Sequence, residues 1–270
     1  MTRNEIIESA VKLTQDHPGN YISEEIALKP EYAGVKMFDD PIFGFGSADD
    51  GIYMKYKSPM VISDQHLTPQ EWLPGAKTVI SFFVPFSDRV KSSNAEDYDW
   101  PSDEWLHARV EGQVYVKELT LFITKLLIDA GYNSVAPAFD ERFKMGKTAD
   151  GAFFSNWSER HAAYACGLGT FGLSKGIITE KGTAGRFGSV ITELDLPKSE
   201  RHYSDVYEYC TECGICVRHC PPKAISIEKG KENKPCSDFL DQILEKHKPR
   251  YGCGKCQVNV PCESGIPKKN

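Results

Sequence analysis

The residues best equipped for chemistry lie near the C-terminal end of this 270-residue chain. Cys210-Thr-Glu-Cys213-Gly-Ile-Cys216-Val-Arg-His-Cys220-Pro221 spaces four thiols as C-x2-C-x2-C-x3-C-P. Three thiolates at three-residue steps can wrap one loop around a 4Fe-4S cluster, and the fourth, followed by proline, is turned toward a second cluster. Cys236, Cys253-Gly-Lys-Cys256 and Cys262 bring the number between 210 and 262 to eight, as two such clusters require. If each run lends its outlying cysteine to its neighbour, Cys210, Cys213, Cys216 and Cys262 hold one cluster. Cys220, Cys236, Cys253 and Cys256 then hold the other. Zinc is the competing reading of C-x2-C pairs, but zinc pairs come singly, without a third and fourth cysteine following at once. A disulfide framework needs an oxidising compartment and usually a small secreted domain. Cys166, the only cysteine before residue 210, stands outside the ligand set.

The rest of the chain differs in kind. Residues 1–200 carry 20 Lys and Arg against 29 Asp and Glu, whereas 201–270 carry 12 against 9. An acidic front does not attract nucleic acid, which needs clustered cations to displace counterions; tRNA is therefore not expected as a partner. The polar start lacks the apolar core of a signal peptide, and the longest apolar run, Leu119 to Ile128, is broken by Thr120, Thr124 and Lys125. The expectation is a soluble, cytoplasmic protein with no membrane segment.

Elements must position the cysteines. Thr2-Arg-Asn-Glu5 has the form of a capping box and predicts a helix over 3–15. Residues 20–74 read mostly as loop, and Phe43-Gly-Phe-Gly-Ser as a turn-rich surface segment rather than a dinucleotide fingerprint. The apolar run after Pro74-Gly-Ala-Lys predicts a buried, central strand at 77–84. A long amphipathic helix begins at Ser102 and ends at Gly131, a strand follows over 133–138, and a short helix over 158–166 is stopped by Gly167. Ser237 is expected to cap a helix between Cys236 and the Cys253 pair.

Between these lies glycine-dense backbone, Gly167-Leu-Gly-Thr-Phe-Gly172 and Gly185-Arg-Phe-Gly188, feeding short strands. Such glycines admit close approach of a neighbouring strand or of a bulky flat cofactor, and the spacing does not choose between the two.

Pro74-Gly-Ala-Lys-Thr-Val-Ile, Glu159-Arg160, the Gly167–Gly172 turn, Arg186-Phe-Gly-Ser-Val-Ile-Thr-Glu-Leu194 and the cysteine run together resemble the epoxyqueuosine reductase family, related to corrinoid reductive dehalogenases. The match spans most of residues 70–262. The resemblance implies an α+β fold: a nitroreductase-like α/β cofactor domain, 1–204, followed by a ferredoxin-like module, 205–270, with two 4Fe-4S clusters. It further implies a base-off cobalamin near Gly167, Gly169, Gly172, Arg186 and Gly188. The sequence departs from the family pattern at three places. The family's catalytic aspartate falls on Phe153, with Asp150 near but not aligned, and Leu173 replaces a lysine. Cys262 follows Cys256 after five residues instead of three, and is not followed by proline. The chain also ends eight residues after Cys262, short of the helical-repeat domain that helps the full-length reductases grip tRNA, which again argues against tRNA.

The expected function is that of a reductase passing electrons from an external donor, of the reduced ferredoxin or flavodoxin type, through the clusters to a cofactor and an unidentified small-molecule substrate. The alternatives are an electron carrier whose front domain only docks a redox partner, and a corrinoid-binding chaperone or reductive activator. Arg160 and His161 on a short helix, and Tyr53 and Tyr56, read as packing or surface residues, so no residue is assigned as catalytic.

Overall fold

The computed structural model describes residues 1–147 and 153–268. Asp150 lies outside the described residues. Helix α1 (Arg3–Asp16) starts on the expected capping box: Thr2 Oγ1 accepts from the Glu5 amide, and the Glu5 carboxylate accepts from the Thr2 amide. Strand β1 (Ile42–Ser47), short helices α2 (Ile52–Tyr56) and α3 (Pro69–Trp72), strand β2 (Thr78–Pro85), α4 (Asp88–Glu96) and the long α5 (Asp103–Asp129) follow. Next come β3 (Ser134–Val135), the paired strands β4 (Met145–Lys147) and β5 (Phe153–Ser155), α6 (Glu159–Ala165), β6 (Gly169–Phe171), β7 (Ile177–Thr179) and β8 (Gly185–Thr192). Among the cysteines lie α7 (Ile215–Arg218), β9 (Ile225–Ser226), β10 (Gly230–Lys231) and α8 (Asn233–His247).

One antiparallel sheet in the order β1-β2-β8-β3 organises the fold. Strand β2 is central, and all eight of its residues are buried. Because alternate side chains point to opposite faces, Ile80, Phe82 and Val84 join a core under α1 and α5, while Val79 turns to a second core with Ile191, Ala162, Ala165 and Cys166. The result is a mixed helix-and-sheet layer structure.

The Phe43-Gly-Phe-Gly segment is strand β1, not a surface turn. Its glycines carry no turn signal here; they make room. A Cβ on Gly44 would lie 2.9 Å from Leu168 Cγ and overlap the Cys166 carbonyl, and one on Gly46 would lie 3.0 Å from Cys166 Sγ. The end of α6 can therefore pack on β1 only where side chains are absent. The strand expected over 133–138 shrinks to Ser134–Val135 because a 3-10 turn takes over at Pro137–Phe139, proline being unable to donate to the ladder. Helix α8 begins four residues before Ser237, with Cys236 in its first turn. Among the described residues, no helix is long and apolar enough to cross a membrane.

Candidate iron-sulfur site

Strand β6, the β7–β8 turn and helices α4 and α5 hold the cysteine segment through backbone and side-chain contacts. The amide of Phe171 donates to Val206 O at 2.8 Å and that of Tyr209 donates to Thr170 Oγ1 at 2.9 Å, pinning the run-up to Cys210 against β6. The amide of Thr183 donates to Cys262 O at 2.9 Å, fixing the last cysteine on the β7–β8 turn. The Cys253–Cys256 turn is anchored on α4 and α5. Asn94 Nδ2 donates to Cys253 O at 3.1 Å and Lys255 Nζ to Asn94 O at 2.6 Å, while Gly254, at φ +70°, lies flat on the Trp105 indole.

These anchors sort the eight cysteines into two groups. Cys210, Cys213, Cys216 and Cys262 line one cavity, together with Gly172, Leu173, Ile178 and Val260. Cys220, Cys236, Cys253 and Cys256 line a second, against Trp105, Arg109, Gly185 and Arg186. The cavities are neighbours, since Cys216 and Cys256 lie within electrostatic reach of each other. Burial, then the neighbouring thiols, push Cys216 and Cys262 up to about 12. Burial likewise pushes Cys253 up to about 12, and raises Cys220 and Cys256. Four bare thiolates in either cavity would repel one another, so deprotonated quartets call for cationic metal between them. A single tetrahedral zinc, with Zn–S near 2.3 Å, needs sulfurs only about 3.8 Å apart. Among the described residues, no three His, Cys, Asp or Glu side chains approach as a single ion requires. Rings of thiols around cavities suit a larger inorganic core.

The glycine-dense segments have mixed roles. Gly172 lines the first cavity, and Arg186 lines the second, its Nε donating to Gln113 Oε1 at 3.1 Å. A Cβ on Gly169 would overlap the carbonyl of Ile178 on the paired strand, and one on Gly188 would lie 2.8 Å from Thr120 Oγ1 and overlap the Phe82 ring. Gly167, at φ +86°, ends α6 and sits 3.0 Å, by its would-be Cβ, from Glu200 O. Protein backbone and core side chains thus account for the absence of a side chain at these three positions.

Cys166 is buried apart from both cavities, with Sγ donating to Val79 O at 3.3 Å. Tyr53 and Tyr56 are core residues. Arg160 is exposed, its guanidinium donating to Lys175 O, and His161 packs against Tyr56 and Phe171. Phe153 is 46% exposed on β5, under the Lys147 ammonium. The sequence reading missed Arg109, Lys231 and Lys255, which line the second cavity. Lone basic residues carry no signal until the fold gathers them; the only available hint was the proximity of Lys255 and Lys231 to cysteines.

Fold and site together define an iron-sulfur protein, and residues 203–226 match the 4Fe-4S binding domain family. Within that class the chain is similar to epoxyqueuosine reductases and to reductive dehalogenases. It is 25% identical over 228 residues to epoxyqueuosine reductase of Bacillus cereus, covering 77% of this chain and 53% of that protein. It is 27% identical over 152 residues to trichloroethene reductive dehalogenase of Dehalococcoides mccartyi, covering 56% of this chain and 24% of that protein. The chain spans about half or less of the length of these curated relatives. Its fold is shared by an epoxyqueuosine reductase solved with an epoxyqueuosine-modified tRNA-Tyr stem loop (TM-score 0.56, 18% identity, 98% of this chain and 66% of that one). It is also shared by a catabolic reductive dehalogenase solved with 3-bromo-4-hydroxybenzoic acid (TM-score 0.54, 13% identity, 98% and 37%). The expectation that tRNA is no partner finds no support here, because a neighbour of the same fold holds a tRNA stem loop. Net charge averages over the whole surface and does not decide what one local face binds.

Proposed function

We propose that this chain is an iron-sulfur oxidoreductase whose two cysteine quartets hold two 4Fe-4S clusters. These serve a cofactor and substrate bound by residues 1–204, with residues 205–270 as the electron-transfer module. The observation that carries the reading is the division of the eight cysteines into two adjoining cavities of four, the second backed by Arg186 of β8. Bound clusters would supply one-electron transfer. The chain's own part is to supply eight thiolates and to keep the two quartets adjacent.

A corrinoid is the cofactor this reading favours, because a reductive dehalogenase of the same fold is described as B12-dependent. Of the five positions carried over for it, Gly172 and Arg186 open onto the cysteine cavities and would meet a corrinoid laid beside the clusters. Gly167, Gly169 and Gly188 would act by shaping the backbone around it. The electron donor would be an external protein of the reduced ferredoxin or flavodoxin type. The electron-carrier reading draws on Phe153, a side chain with no proton to give where the family has an aspartate.

Anaerobically reconstituted protein is expected to hold about eight iron and eight sulfide per chain, from two cubane clusters. After incubation with cobalamin and desalting it should keep about one cobalt per chain, as a single site would. Four iron, or zinc in place of iron, would refute the two-cluster reading. Eight iron with neither cobalt nor flavin retained would put the electron carrier first. The substrate class is decided by titrating the loaded protein with a modified tRNA stem loop and with a halogenated hydroxybenzoate; the one that binds saturably at physiological salt names it.

A further inference from the structure

The two quartets sit in unlike electrostatic surroundings. The second cavity is lined by four cationic side chains, Arg109, Arg186, Lys231 and Lys255, and by no carboxylate among the described residues. Lys231 is set against Cys236 and Cys256, and Lys255 is only 3% exposed. Among the described residues, no Lys, Arg, Asp or Glu lines the first cavity. Glu212 and Lys268 lie on its solvent side with Cys213, the one exposed cysteine, and oppose each other in sign.

Adding an electron to a cluster adds negative charge, and buried cations stabilise that charge far more than exposed ones. Net charge, hydrogen bonds to sulfur and solvent exposure are the levers that set cluster potentials. We infer that Lys231, with Arg186 and Arg109, raises the reduction potential of the centre held by Cys220, Cys236, Cys253 and Cys256 above that of the centre held by Cys210, Cys213, Cys216 and Cys262. Electrons then enter at the solvent-facing quartet and collect at the one against the sheet. In the step itself one electron leaves the first cluster, which is oxidised, and enters the second, which is reduced. An external low-potential donor of the ferredoxin or flavodoxin class restores the first, and no bond is made or broken. Lys231 is a positioning residue for charge; it need not touch the substrate.

The inference rests on the two-cluster reading, and the experiment separates the two. Iron and sulfide are counted first; four iron per chain sinks the two-cluster reading. With eight iron present, potentiometric titration followed by electron paramagnetic resonance reads both midpoints, and Cys262→Ala and Cys236→Ala variants supply the reference spectrum of each single centre. The second centre is expected to have the higher midpoint. Lys231→Gln should cut its reduction equilibrium about tenfold, about 59 mV for a one-electron couple, leave the first centre unmoved, and be rescued by Lys231→Arg. Should Lys231→Gln fail to load iron, Arg109→Gln carries the same expectation with a lowered second midpoint. Equal midpoints in the unaltered chain, a higher first midpoint, or a Lys231→Arg shift as large as that of Lys231→Gln would overturn the inference while leaving two clusters in place.

Discussion

Replacing Gly254 by alanine tests whether the second quartet depends on its seat against α5. Gly254 is held at φ +70° between Cys253 and Cys256, and its missing Cβ would overlap the Trp105 ring, lying 2.7 Å even from Nε1. Trp105 cannot swing away: it is 2% exposed and packed on Phe86 at 4.6 Å between ring centroids. A left-handed backbone costs a residue with a Cβ about 1–2 kcal/mol, and overpacking a filled core costs about 1–3 kcal/mol. The two together are on the order of 2–5 kcal/mol, concentrated on the turn that presents Cys253 and Cys256. The chain can relieve that strain by lifting the turn off Trp105, which separates these two thiols from Cys220 and Cys236. Gly254→Ala is therefore expected to fold, to retain about four of eight iron after anaerobic reconstitution, and to lose the resonance of the second centre alone. Gly51→Ala is the control: Gly51 has a right-handed φ of −59° and nothing within 4 Å of its would-be Cβ, so its iron content and unfolding midpoint should match the unaltered chain. Full iron loading and an unchanged midpoint in Gly254→Ala would refute the view that Trp105 and Gly254 jointly seat the second quartet.

Cys166→Ala should keep all the iron, because Cys166 lies in the second core away from both cavities, whereas Cys262→Ala should lose the first centre only; iron analysis of the two variants checks both. Glu159 supplies a pH signature. Burial pushes its carboxyl up to about 7, neither oxygen has a hydrogen-bond partner among the described residues, and nearby Ser189, whose Oγ accepts from Trp157, favours the charged form less than burial opposes it. Between the unfolded carboxyl value, about 4.3, and pH 7 the folded state binds the extra proton, so stability falls as pH rises through that window. At about 1.4 kcal/mol per unit, the fall amounts to about 4 kcal/mol. Urea midpoints of Glu159→Gln at pH 5 and pH 8 should differ less than those of the unaltered protein by that order, and an equal pH dependence in both would show that Glu159 is not the group responsible.

The sequence by itself determined the groups whose spacing is local. The C-x2-C-x2-C-x3-C run, the Thr2–Glu5 cap, the apolar β2 and the long α5 are each specified within a few residues by thiol count, capping chemistry or hydrophobic period. Only the tertiary structure decided what those groups face. Gly44 and Gly46 looked like turn residues because glycine's lack of a side chain is the same signal in a turn and under a packed helix, and nothing local to 43–47 reports that Cys166 lies on top. Gly169 and Gly188 are glycines because Ile178, Phe82 and Thr120, far apart in the chain, occupy the space a side chain would need. Arg109 on α5, Arg186 on β8, Lys231 on β10 and Lys255 beside Cys256 are scattered over nearly 150 residues. Each read singly is a surface charge. Folding gathers them around one quartet and leaves the other without them, and because Coulomb energy depends on distance through space and on burial rather than on sequence order, that asymmetry exists only in three dimensions.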